Sequence, residues 1–172
     1  MTISRRILGL LLTFVLLTVG LASVADAAPQ LERLGRGVVA IRTAGGPTYI
    51  SWRMLGTDPA SVAFNLYRST GGAAPIKLNA APLTATTDFV DATADRTKSS
   101  TYSVRPVVNG VEQAASAGFT TPANAPARPY LSIPLQPPAG GTTPDGVAYT
   151  YDANDASVGD LDGDGAYEIV LK

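Results

Sequence analysis

Proline and glycine set the tightest limit on what this chain can fold into. Between Ala28 and Lys172 stand all 13 prolines and 15 of the 17 glycines, and neither residue is well tolerated inside a helix. What lies between them alternates. Ile50, Trp52 and Met54 alternate with Tyr49, Ser51 and Arg53, and Phe64 and Leu66 with Asn65 and Tyr67, the period of strands buried on one face. Val107-Val108-Asn109-Gly110-Val111 adds a hairpin signal, because Asn-Gly accepts the positive φ angles of a type I′ turn. Roughly seven short strands between Gly37 and Thr121 imply a β-sandwich. A helical bundle is excluded.

The same residues restrict the chemistry. The chain has no cysteine and no histidine, which removes disulfides, thiol catalysis, a Ser-His-Asp triad and His- or Cys-ligated metal. Carboxylates, Lys, Arg, Tyr, amides and backbone remain.

Residues 1–27 have another purpose. Arg5 and Arg6 precede an apolar run from Ile7 to Ala22, and Ala25-Asp26-Ala27 supplies small residues for cleavage before Ala28. That order is a secretory signal peptide, and the run is shorter than the ~20 residues that span a bilayer. We therefore expect a secreted, extracellular protein with no membrane contact after cleavage, and a monomer.

The net charge of −1 conceals a division. Residues 28–144 carry 10 Lys+Arg against 6 Asp+Glu, and residues 145–172 carry 1 against 7. The basic residues form no run and are not interleaved with aromatics, so a nucleic-acid surface is not expected. Ahead of the acidic part lie Pro122, Pro126, Pro129, Pro134, Pro137, Pro138 and Pro144, the composition of an extended linker. The expected organisation is a signal peptide (1–27), a β-sandwich (28–124), a Pro/Gly-rich linker with a short edge strand at Tyr130 to Leu135 (125–148), and a separate acidic region (149–172).

The most specific motif is Asp160-Leu161-Asp162-Gly163-Asp164-Gly165-Ala166-Tyr167-Glu168. Carboxylates at positions 1, 3 and 5 with glycine at 6 can wrap a tight turn around one hard cation, and Ca²⁺ is the expected ion. An EF-hand would place a bidentate glutamate at position 12, where this chain has Leu171, and a helix rather than the strand-like Glu168-Ile169-Val170-Leu171-Lys172 would follow. The loop instead suits those joining strands in calcium-binding β-propellers, with Asp160, Asp162, Asp164, the Ala166 carbonyl and Glu168 as ligands. A structural role for the ion is expected, and a plain solvated Asp/Gly turn is the competing reading.

Two resemblances follow from these residues. Trp52, the strand Phe64-Asn65-Leu66-Tyr67-Arg68 and the segment Thr101-Tyr102-Ser103-Val104 resemble the core tryptophan, middle strand and tyrosine-corner strand of a fibronectin type III-like domain. Tyr102 would then tie its hydroxyl back to the preceding loop. Taken in order, Gly37–Arg42, Tyr49–Gly56, Phe64–Arg68, Val107–Gln113, Leu135–Gly146 and Asn154–Gly165 resemble the start of the bacterial rhamnogalacturonan lyases of polysaccharide lyase family 11. The resemblance implies an all-β chain, in which a fibronectin type III-like β-sandwich precedes the first, incomplete blade of a calcium-binding β-propeller. It also implies cleavage of the rhamnogalacturonan I backbone of pectin by β-elimination, with the family's catalytic residues beyond Lys172 and none in this chain. Asn154 and Asp155, just before the acidic loop, are the candidate substrate-facing positions, although Asn-Asp also commonly opens a turn. The alternative is a non-catalytic extracellular protein, with a fibronectin-like module and integrin-like calcium repeats acting in adhesion or polysaccharide binding.

Overall fold

The computed structural model describes residues 33–172, so the signal-peptide reading falls outside the described residues. Those residues form strands and connecting loops only. In chain order the strands are β1 (Val39–Arg42), β2 (Thr48–Ser51), β3 (Ala63–Thr70), β4 (Ile76–Lys77), β5 (Asp88–Asp91), β6 (Ser100–Val108), β7 (Val111–Glu112), β8 (Phe119–Thr121), β9 (Gly141–Thr142), β10 (Ala148–Tyr149), β11 (Ala156–Gly159) and β12 (Glu168–Leu171).

The first eight strands make a sandwich of the fibronectin type III kind. One sheet has the order β1-β2-β5, and the other β4-β3-β6-β7 with β8 also on β6. All pairings are antiparallel, the longest being β3 with β6 from Ala63↔Val107 to Thr70↔Ser100. Alternation decides which side chains meet between the sheets. The first sheet and its continuation contribute Val38, Ala40, Ile50 and Trp52, and the second contributes Phe64, Leu66, Tyr102 and Val104. Trp52 meets the Phe64 ring edge-on at 5.6 Å between centroids, so it is a core residue.

The neighbour of β6 on the side away from β3 is split in two. β7 pairs with the end of β6 across the two-residue turn Asn109-Gly110, whose φ angles of 50° and 79° fit the type I′ geometry. β8 pairs with its start at Ser100–Tyr102. Ser116 fills the gap, accepting from the Val104 N–H through Oγ at 3.0 Å and donating its own N–H to the Val104 carbonyl at 2.9 Å.

Several polar side chains lie inside, Arg42, Arg68 and Asp91 among them. Arg68 donates to Asp91 at 2.5 Å, and the Tyr102 hydroxyl donates to the same carboxylate at 3.0 Å. The corner tyrosine therefore ties the second sheet to the end of β5 and does not bond the loop just before its own strand. Burial alone would raise the Asp91 pKa, yet hydrogen bonds from Thr93, Arg68 and Tyr102 outweigh it and hold the carboxyl below its ordinary value. Arg42, also buried, is held by the carbonyls of Arg96 and Pro122 at 2.8 and 3.0 Å.

Two further expectations are corrected. Met54 is 55% exposed rather than inward-facing. The Trp52 N–H still pairs with the Thr87 carbonyl, but the Arg53 N–H turns to Arg36, so the alternation ends with the sheet. No strand forms at Tyr130 to Leu135. Proline at 134, with others at 129, 137 and 138, deprives that stretch of donors, and just ahead of it the Arg128 N–H donates to the Arg42 carbonyl at 2.9 Å. The next pairings are the short hairpin β9–β10 and the hairpin β11–β12.

Candidate cation-binding loop

The acidic motif closes the β11–β12 hairpin. Gly159 pairs with Glu168 at its mouth, so residues 160–167 form the turn. Gly163 and Gly165 sit at φ 79° and 90°, a region costly for any residue with a Cβ. Gly165 is doubly constrained, because a Cβ there would lie 2.9 Å from the Arg33 carbonyl oxygen and 3.1 Å from the Gly35 nitrogen.

Backbone amides then aim the carboxylates. Asp160 accepts from the Gly163 and Gly165 N–H groups at 2.8 and 3.1 Å, Asp162 from Asp164 at 3.1 Å, and Glu168 from Leu161 at 2.7 Å. Held this way, one carboxylate oxygen from each of Asp160, Asp162 and Glu168 lies within 4.8 Å of the other two. That separation is about twice a Ca²⁺–oxygen distance of ~2.4 Å, so one ion can reach all three. Asp164 is outside this trio, and its carboxylate instead accepts the Ala166 N–H at 2.7 Å. The donor set is hard, anionic and all-oxygen, which suits Ca²⁺ and not a soft metal.

Asn154 and Asp155 are not brought to this cluster. The Asn154 N–H bonds the Lys172 carbonyl and the Lys172 N–H bonds the Asp155 carbonyl, both at 2.9 Å, which places the pair at the opposite end of the hairpin. Both are exposed. Nearby lies a groove of about 500 Å³ lined by Leu135, Pro137, Tyr151, Ala153, Leu171 and Lys172.

Sequence reasoning missed the residues that seat the loop on the sandwich. The Gly35 N–H donates to the Gly165 carbonyl at 2.6 Å. The Arg53 guanidinium lies over the Tyr167 ring at 4.1 Å and donates to the Gly35 carbonyl at 3.2 Å. Contacts between positions more than a hundred residues apart leave no local pattern, and Arg53 reads as an ordinary outward residue of an alternating segment.

Comparison with known proteins adds a lineage to this geometry. The family model of the rhamnogalacturonan I lyases beta-sheet domain matches residues 29–121, and that of the rhamnogalacturonan lyase family 11, C-terminal domain matches residues 130–172. The rhamnogalacturonan endolyase YesW of Bacillus subtilis (strain 168) is 56% identical over 146 residues, which are 85% of this chain and 22% of that protein. The rhamnogalacturonan exolyase YesX of the same organism is 43% identical over 143 residues, 83% of this chain and 21% of that protein. The chain thus spans about a fifth of the length of the curated relatives it matches. An Fn3-like protein from Clostridium thermocellum aligns over 49% of this chain and 84% of its own, at 24% identity and a TM-score of 0.41.

Proposed function

The chain belongs to rhamnogalacturonan lyase family 11, and from that premise we propose that it is the N-terminal part of a secreted, calcium-dependent lyase that cleaves the rhamnogalacturonan I backbone of pectin by β-elimination. The observation that carries this reading is the pair of successive family matches, one over the sandwich and one over the acidic region. A free-standing adhesion module has no comparable support.

The reaction is an elimination across two neighbouring carbons of galacturonate. A base withdraws the proton alpha to the carboxylate, positive charge stabilises the enolate-like anion, and the electron pair forms a carbon–carbon double bond as the glycosidic oxygen leaves. Histidine is not required. No residue of this chain is assigned as the base. Its part is architectural: the sandwich is a rigid neighbour, and β11–β12 begins the first propeller blade, with Asn154 and Asp155 as substrate-facing positions.

Asp160, Asp162 and Glu168 are the proposed Ca²⁺ ligands, with Asp164 and the Ala166 carbonyl completing the set from the same loop. Bound calcium would cancel the mutual repulsion of these carboxylates and stiffen the turn. The amides of Leu161, Gly163 and Gly165 keep the donors converged. To test the reading, the complete product of the reading frame that contains this chain is incubated with rhamnogalacturonan I while near-UV absorbance from unsaturated ends is followed. We expect absorbance to rise in calcium buffer, stop rising on chelation, and resume when calcium is restored. A flat trace in calcium would overturn the lyase, and a rise indifferent to chelation would overturn the calcium dependence.

A further inference from the structure

We infer that Gly35 and Arg53 are positioning residues for the cation loop, forming a latch that holds its ligands in register and carries cation binding into the stability of the sandwich. The inference rests on the calcium reading above. Its ground is the juxtaposition of two sandwich-side groups with the two residues that flank the ligand carboxylates from within the loop.

The Gly165 residue is gripped from both sides. Its carbonyl accepts the Gly35 N–H at 2.6 Å, and its own N–H donates to the Asp160 carboxylate at 3.1 Å. A shift of Gly35 therefore moves a hydrogen-bond donor to a ligand. Tyr167 is the residue before Glu168, and its ring lies 4.1 Å from the Arg53 guanidinium carbon. Asp160 and Glu168 are thus each one step from a group tied to the sandwich.

Arg53 is itself well anchored. Its N–H donates to the Arg36 carbonyl at 2.7 Å, and its guanidinium to the Gly35 carbonyl at 3.2 Å. Arg36 forms a two-point pair with Asp58 at 2.5 and 2.6 Å and lies over the Phe64 ring, which meets Trp52. Gly37, at φ 53°, leaves the space Arg53 needs, since a Cβ there would come within 2.7 Å of the guanidinium carbon. The path from loop to core is contiguous.

Linkage requires the coupling to run both ways: if an ordered seam tightens the cation, the cation must tighten the seam. Electrostatics predicts the opposite for one variant. A cationic side chain beside an anionic loop repels a second cation, so loss of the Arg53 charge alone should strengthen Ca²⁺ binding. A positioning role predicts weakening.

The experiment uses the whole chain with Trp52, its sole tryptophan and 5% exposed, as the reporter of sandwich unfolding. Calorimetric titration gives Ca²⁺ affinity, and thermal unfolding followed by tryptophan fluorescence gives the midpoint with and without Ca²⁺. Arg53→Ala removes the stack. Gly35→Ala puts a methyl 3.0 Å from the Gly165 oxygen without touching a ligand. Tyr167→Leu keeps apolar bulk and serves if the Arg53 variant fails to fold. We expect Ca²⁺ to raise the Trp52 midpoint of the parent chain. The Arg53 and Tyr167 variants should bind Ca²⁺ about three- to ten-fold more weakly, the scale of one lost cation–π contact, the Gly35 variant should also bind more weakly, and all should show a smaller midpoint shift. Ca²⁺ that binds the parent without moving the Trp52 transition overturns the latch and spares the calcium site. Arg53→Ala binding equally or more tightly overturns it too. Absence of any binding heat with the parent chain overturns both readings.

Discussion

The Tyr102 hydroxyl ends on Asp91, and the bonds gathered on buried carboxylates set two properties at the scale of the residue. Asp91 takes hydrogen bonds from Tyr102, Arg68 and Thr93 at a site where its side chain is 2% exposed. Removing one partner of a buried charge pair leaves the other uncompensated. We therefore expect Asp91→Ala to cost about 3–5 kcal/mol and Tyr102→Phe, which deletes one bond to a charged acceptor, about 1.5–3 kcal/mol, both read by denaturant unfolding. The second property is pH dependence. Asp91 is held below its ordinary pKa against the opposing effect of burial, and Asp58 is held down chiefly by hydrogen bonds from Arg36. The unfolded chain therefore takes up these protons first, so their stabilisation is complete above the usual aspartate range and is lost as pH falls through the depressed native values. An unfolding midpoint measured against pH should fall on the acid side, and Asp91→Asn should flatten the slope. A midpoint that is constant on acidification would contradict the network.

At the scale of the element, the turn between β6 and β7 was legible from two letters. Asn109 and Gly110 both adopt positive φ, and a Cβ on Gly110 would meet nothing within 4 Å. Gly110→Ala should therefore cost only the backbone term, about 1–2 kcal/mol, detectable as a lower thermal midpoint, with no other contact disturbed. Strand positions at the sandwich centre were equally legible, because Ile50, Leu66, Tyr102 and Val104 are inward at the apolar positions of alternating segments, although Asn65 on β3 is buried as well. Alternation failed where backbone pairing changes partner. Met54 keeps the apolar period but follows the point where the chain leaves β2. The edge beside β6 breaks into β7 and β8 where the Ser116 hydroxyl, rather than a backbone carbonyl, takes the Val104 N–H, and a hydroxyl carries no strand period. Tyr130 to Leu135 has strand-like side chains among prolines that cannot donate, so composition suggested an element that pairing does not support.

Across the whole molecule, burial is uneven. The sandwich encloses Ile50, Leu66, Tyr102 and Val104 almost completely, whereas Val158, Ile169, Val170 and Leu171 on the acidic hairpin are 59, 44, 47 and 41% exposed. Among strand amides, those of β3 and β6 should exchange slowest and those of β11 and β12 fastest, with added Ca²⁺ slowing residues 160–168 most. Equal protection in both regions would contradict this division. The acidic motif, its glycines and the pairing that frames it were readable in the sequence. Which three carboxylates converge was not, because amide bonds within the turn draw Asp164 aside, and the Arg53 seam depends on long-range folding. The proposal that the protein containing this chain breaks the pectin backbone without adding water is decided by mass spectrometry of the fragments released from rhamnogalacturonan I. It predicts new non-reducing ends that are unsaturated uronates, lighter by one water than hydrolysis would leave. Saturated ends carrying that water, or an uncut polymer, would contradict it.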